Sequence, residues 1–158
     1  MRVASMRERK ALHLIIACSF VGLILSTYAF LHNKAFVSGA FCTINSTFNC
    51  DIVNRGPYSE LLGVPVALLG MTGYLFFAIA AGMSLRRPTD KGLLTFLVIA
   101  SSGALAFSLY LTWIEAFVLF AWCLICITSQ LMILTIFGSS LYIRFKKPDA
   151  TKVARNIS

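Results

Sequence analysis

Four apolar stretches, Ala11 to Leu31, Leu61 to Leu85, Gly92 to Leu111 and Phe117 to about Ile143, contain no aspartate, glutamate, lysine or arginine. Each reaches the roughly 20 residues that a helix needs to cross about 30 Å of hydrocarbon. Only 13% of the 158 residues are charged and 58% are hydrophobic, against about 25% charged in soluble proteins. The expected fold is therefore an all-α integral membrane protein, a bundle of four transmembrane helices. The first stretch follows Arg7, Arg9 and Lys10 as a secretory signal would, but it is longer than a signal core and no small-x-small cleavage site follows. It reads as a retained helix.

The net charge of +8 suggests nucleic acid only until its distribution is considered. Basic residues sit at the ends of apolar segments and form no stripe with interleaved aromatics, so no nucleic acid is expected. Arg2, Arg7, Arg9 and Lys10 precede the first helix; Arg86, Arg87 and Lys91 separate the second and third; Arg144, Lys146, Lys147, Lys152 and Arg155 follow the fourth. Against these twelve stand Lys34 and Arg55, both in the loop 32–60 of about 29 residues. The positive-inside rule then puts both termini in the cytoplasm and this loop outside, as is the short turn Thr112 to Ala116. The tail 146–158 is basic and polar, and the expected organisation is one membrane domain over 1–158. Function must lie in the bundle and the external loop.

Five cysteines are distributed suggestively: Cys18 within helix one, Cys42 and Cys50 in the loop, Cys123 and Cys126 in the fourth apolar stretch. Cys42 and Cys50 face an oxidising compartment, where a pair so spaced serves either as a structural staple or as a redox couple. Cys123-Leu124-Ile125-Cys126 is a Cys-x-x-Cys, whose two sulfurs share a helix face and suit reversible thiol–disulfide exchange or metal binding. Were helix four to begin at Phe117, Cys123 would lie about six residues, roughly 9 Å, below the outer surface. A metal would need further ligands; His13 lies at the wrong end of helix one and His32 is a remote candidate, so no metal is expected. Two cysteine pairs, one in the loop and one in the membrane, best fit a relay in which a thiolate attacks a disulfide and passes two electrons on. Cys18 reads as a small buried hydrophobe.

Three features together, Cys42 and Cys50, the segment Cys50-Asp-Ile-Val-Asn-Arg-Gly-Pro-Tyr-Ser-Glu-Leu-Leu-Gly-Val-Pro-Val-Ala-Leu-Leu-Gly70, and Cys123-x-x-Cys126, span nearly the whole chain. In them the sequence resembles the vitamin K epoxide reductase family, in particular its bacterial members without a fused thioredoxin-like domain. The resemblance implies an enzyme of the bacterial cytoplasmic membrane that supports disulfide bond formation. A periplasmic thioredoxin-fold (DsbA-like) partner would attack at Cys42, Cys50 would pair with Cys123, and Cys126 would hand electrons to a membrane quinone, ubiquinone or menaquinone. The loop, with Thr43-Ile44-Asn45-Ser46-Thr47, is expected to swing between partner and membrane. The quinone is expected in an apolar slot beside Tyr58, Val66, Leu69, Ser129 and Gln130, the last replacing the tyrosine of vertebrate members with an amide that can also donate a hydrogen bond. Gln130 reads equally as a polar contact between helices.

A second departure is Gly56, where the family usually carries serine or threonine; Ser59 is a nearby substitute. Asp51 to Leu62 is expected to form a lid broken at Gly56-Pro57, with Pro65 in the first turn of helix two. Trp113 and Trp122 read as interfacial anchors. Glu115 is either an ordinary acid of the outer turn or a proton source for the reduced quinone. Asn45-Ser46-Thr47 matches a glycosylation sequon by chance. Two other classes compete. A DsbB-like enzyme would need a second cysteine pair in a long later loop, which this chain lacks; a non-enzymatic adaptor with a stapled loop would make Cys123 and Cys126 incidental packing.

Overall fold

The structure is a computed structural model that describes residues 6–38, 42–45, 47–87 and 90–145. The expected cytoplasmic tail lies outside the described residues. Helix α1 (Met6–Asn33) is followed by a short helix α2 (Cys50–Arg55), a two-stranded hairpin of β1 (Glu60–Leu61) and β2 (Val64–Pro65), and helix α3 (Val66–Arg86). Helix α4 (Lys91–Ile114) runs on into a π-helical turn, Glu115–Leu119, and α5 (Leu124–Phe145) completes the chain. The four long helices are each long and apolar enough to cross a membrane. Large side chains such as Phe20, Ile24, Phe76, Ile99 and Leu131 point outward, half exposed or more. A surface so apolar is costly in water and suited to lipid; the chain is a multi-pass membrane protein.

Helix α1 packs along α3 and α5, and α4 lies along α5 and, less extensively, α3. With no hydrophobic effect to draw helices together inside lipid, close approach of small residues must do so. Ser19, Ser84, Ser101 and Ser140 are fully buried, and each hydroxyl donates to the carbonyl four residues earlier, at 2.6–2.8 Å. Their polar atoms are thus satisfied within their own helices, leaving a narrow waist for the neighbour. At Gly22 the ring of Tyr74 fills the space a Cβ would occupy.

The boundaries depart from expectation at one end of the bundle. The outer turn expected at Thr112 to Ala116 is helical, because nothing there breaks the ladder, and the chain turns only at Phe120, in the left-handed region at φ 49°. Helix α5 consequently begins at Leu124, seven residues later than the apolar run suggested. Helix α3 starts at Val66 rather than Leu61, because Leu62 (φ 53°) and Gly63 (φ 82°) make a hairpin turn of the kind that tight antiparallel connections require. Pro65 flanks the helix start as its N-cap residue. At the opposite end Asp90 caps α4, its carboxylate accepting from the amides of Gly92 and Leu93.

The contact at Gly22 makes a testable seam. Gly22→Leu is expected to cost about 1–3 kcal/mol through overpacking against Tyr74, lowering the thermal unfolding midpoint in detergent micelles. An unchanged midpoint would contradict so close a fit of α1 against α3.

Candidate active site

Asn45 folds the loop after Cys42 back on itself. Its side-chain oxygen accepts from the amides of Thr47 (2.9 Å) and Phe48 (2.8 Å). The returning strand then joins the segment before α5. Trp122 donates its amide to the Thr47 carbonyl at 2.7 Å, and Asn49 donates to the Trp122 carbonyl at 3.1 Å. Asn49 also caps α2, accepting from Asp51 and Ile52. The residues following the two paired segments are Cys50 and Cys123, so the backbone bridge sets their side chains against each other. Their sulfurs lie 3.3 Å apart, both residues wholly buried. The loop expected to swing is, in this structure, docked on the bundle by its own backbone.

Cys42 and Cys50 form a disulfide, while Cys123, Cys126 and Cys18 are free thiols. Cys42, Cys50 and Cys123 place their sulfurs within 4.8 Å of one another. Two of these three share a bond, so the set offers a metal one free thiolate, whereas it offers Cys123 a disulfide to attack. Cys18 sits in the main helical core, away from this cluster.

The position of Cys123 is the main correction to the expected geometry. It does not lie two turns inside a helix but directly before α5, where free amide groups point at it. The Cys126 amide donates to the Cys123 sulfur at 3.3 Å, and the Asn54 side-chain amide approaches it at 3.7 Å. Helix N-termini stabilise negative charge, and donors aimed at sulfur favour the thiolate that thiol exchange requires. The Cys123 amide in turn donates to Oε2 of the buried Glu115 at 3.1 Å. Nothing in the sequence marks Asn54, since α2 owes its orientation to contacts remote in the chain.

A second set of bonds ties the disulfide to α1. His32, wholly buried at the end of α1, lies 2.9 Å from Asp51 through Nε2. A carboxylate only accepts, so Nε2 carries the hydrogen. Asp51 also accepts from Thr43 Oγ1 at 3.0 Å, and Arg55 donates through Nε to the His32 carbonyl at 3.1 Å. Asp51, itself next to Cys50, therefore clasps the neighbour of Cys42 and ties both to α1. The Thr43 hydrogen bond, followed by that of His32 and the charges of His32 and Arg55, holds its carboxyl below the usual carboxylate range despite some desolvation.

Beneath the sulfurs a cavity of about 410 Å3 opens between the helices. Tyr58, Val66, Leu69 and Ser129 line it together with Cys126, Asn54, Ser59 and Glu115. Gln130 does not: its amide oxygen is taken by the Thr112 hydroxyl on α4. Tyr74 donates its hydroxyl to the Ser129 carbonyl at 2.9 Å. Gly56 has a local cause, because the Ile52 carbonyl stands where its Cβ would project; Ser59 supplies the nearby hydroxyl on the cavity wall. Trp113 is half exposed at the same end of the bundle.

The sequence profile of the vitamin K epoxide reductase family matches residues 13–141, which include all four cysteines of the cluster. The chain belongs to the vitamin K epoxide reductase family. Among its relatives, vitamin K epoxide reductase complex subunit 1 of Rattus norvegicus is 29% identical over 155 residues, 89% of this chain and 92% of that protein. The mouse protein of the same name is 30% identical over 129 residues, 72% of this chain and 78% of that one. As a member of a reductase family with a disulfide beside two free thiols, the chain has the equipment of a membrane redox enzyme.

Asp51→Asn is expected to loosen the loop. Because the folded carboxyl titrates lower than a free one, its clasp is complete above about pH 4 and is lost as pH falls through the lowered value. At neutral pH the variant is expected to speed amide hydrogen exchange over residues 42–52 roughly two- to fivefold, the scale of one part-exposed hydrogen bond. Identical exchange in both proteins would exclude Asp51 as the clasp.

Proposed function

We propose that this family member is a membrane thiol oxidoreductase that oxidises a thioredoxin-fold partner outside the cytoplasm and delivers the electrons to a membrane quinone. The observation that carries the reading is the 3.3 Å approach of Cys50 to Cys123, with Cys126 on the wall of the cavity below. Packing alone gives no reason for a disulfide to face a free thiol across a donor-lined helix start.

The relay follows from this order. A partner thiolate attacks Cys42, breaks the Cys42–Cys50 bond and frees the Cys50 thiolate; the partner's second thiol then resolves the mixed disulfide and leaves oxidised. Cys50 exchanges with Cys123 when the latter is paired with Cys126, along the same short line in either direction. Each step moves two electrons inward and leaves one disulfide for each consumed. Cys42 is only 2% exposed, so the partner must part Thr43 from Asp51 to reach it.

A quinone ring fits the cavity by chemistry. The wall is chiefly apolar, with a few polar groups and the Cys126 sulfur, and about 410 Å3 lies within the range of small-molecule sites. Tyr58, Val66, Leu69 and Ser129 would hold the ring; Gln130, committed to Thr112, stands behind the wall. Bound there, a quinone supplies a two-electron acceptor.

The charge pattern supports both termini in the cytoplasm. Arg7, Arg9 and Lys10 begin α1, Arg86 and Arg87 end α3, Lys91 begins α4 and Arg144 ends α5, all at the end opposite the sulfurs. The whole chain then acts as one membrane domain in a bacterial cytoplasmic membrane, its sulfurs toward the periplasm.

In cells, Cys123→Ala is expected to accumulate Cys42 and Cys50 as free thiols, because the loop pair then has nowhere to send its electrons, seen by trapping thiols with acid and alkylating them. Wild-type-like thiol turnover in that variant would sink the relay. Purified protein is expected to reduce a quinone only when given a reduced dithiol, and Cys126→Ala to lose that activity.

A further inference from the structure

Glu115 is the one carboxyl placed within the four long membrane-crossing segments away from their basic end. It is 3% exposed, and its wall position puts it in the same cavity as Cys126. An ionisable side chain there is costly and seldom retained without use. The π-helical turn aims it: the Glu115 carbonyl accepts from the Ala121 amide at 3.2 Å, and its Oε2 accepts from the Cys123 amide at 3.1 Å. The carboxyl is also close enough to the Cys126 thiol for the two to interact. Its neighbours leave it without a rival base. The other titratable groups on the cavity wall are Tyr58, at its exposed edge, Tyr74, whose hydroxyl proton is committed to Ser129, and Cys126 itself. Cys123 adjoins them from the start of α5, and no lysine, arginine, histidine or aspartate lines the cavity among the described residues.

We infer that Glu115 is a catalytic proton carrier, taking the proton of the Cys126 thiol and releasing it to the oxygen of a quinone in the cavity. The inference rests on the proposed quinone-reducing function. Cys126 gives its proton to the Glu115 carboxylate as the Cys123–Cys126 bond forms, and two electrons leave the sulfur pair for the quinone. One proton from Glu115 and the one released by the Cys123 thiol complete the hydroquinone. The sum is two thiols and a quinone giving a disulfide and a hydroquinone, with Glu115 ionised at the end as at the start. Its bond to the Cys123 amide holds the carrier beside the pair it serves.

The test uses the full chain in detergent micelles, with reduced thioredoxin as dithiol and menadione as quinone probe. Glu115→Gln keeps an oxygen for the Cys123 amide but cannot carry a proton. It is expected to slow menadione reduction about 10²-fold or more while Cys50–Cys123 exchange, followed by alkylation in single turnover without menadione, stays within about twofold, a difference on the scale of one hydrogen bond. Glu115→Asp should restore part of the rate. A readout free of quinone is the pH profile of Cys126 alkylation by iodoacetamide in Cys123→Ser protein. Two inflections are expected, because thiol and carboxyl share a proton, and one after adding Glu115→Gln. Menadione reduction at the wild-type rate in Glu115→Gln overturns the inference, as does equal loss of exchange and reduction, or a profile that Glu115→Gln leaves unchanged. If Glu115→Gln shows no cooperative unfolding, Glu115→Asp decides: a wild-type rate overturns the inference and a slowed rate with a shifted pH profile supports it. Failure of the wild-type protein to reduce menadione would instead remove the parent function.

Discussion

The site depends on one backbone contact, the pairing of Thr47, Phe48 and Asn49 with Trp122. Cys50 and Cys123 are far apart in the chain, and neither helix packing nor the disulfide alone would bring their sulfurs face to face. Two main-chain hydrogen bonds do so, and main-chain geometry leaves little freedom in the side chains that follow. The same pairing takes the residues before Leu124 out of helical conformation. Cys123 thereby becomes the residue against which the free amides of α5 end. Position and reactivity thus have a common cause, since the strand that delivers the disulfide also exposes the helix start that activates the thiol.

The membrane bundle beneath serves as a frame. Its buried serines spend their hydroxyls on their own helices and its small residues admit close neighbours, so the apolar interior needs no buried polar network. Polar groups gather instead at one end, where His32, Asp51, Asn54 and Glu115 each have a partner in or next to the sulfur cluster. This segregation is what lets a cavity with a mainly apolar wall lie directly below a reactive pair.

Much of this was legible in the residues. Four uncharged runs of helix-spanning length left little choice of architecture, and the cysteine spacing named the chemistry. Local pattern failed where distant contacts decide. Phe120 to Trp122 is as apolar as any helix, and the pairing of Trp122 with the loop keeps it from being one. Gln130 stands one turn beyond Cys126, as a cavity residue would, yet the rotation of α5 against α4 gives its amide to Thr112. His32 and Asn54 carry no signature, for their roles exist only once α2 has folded over the end of α1. Gly56 looked like a lost hydroxyl, and is a place where backbone has no room for a side chain.

The near-complete cover over Cys42 has a consequence for traffic through the site. A small thiol that merely diffuses to the surface does not meet the disulfide, however strong a reductant it is. Entry requires a surface large enough to lever the loop aside, so admission is decided by shape and mechanical work before redox potential enters. The enclosure thereby acts as insulation, closing the disulfide to low-molecular-weight thiols.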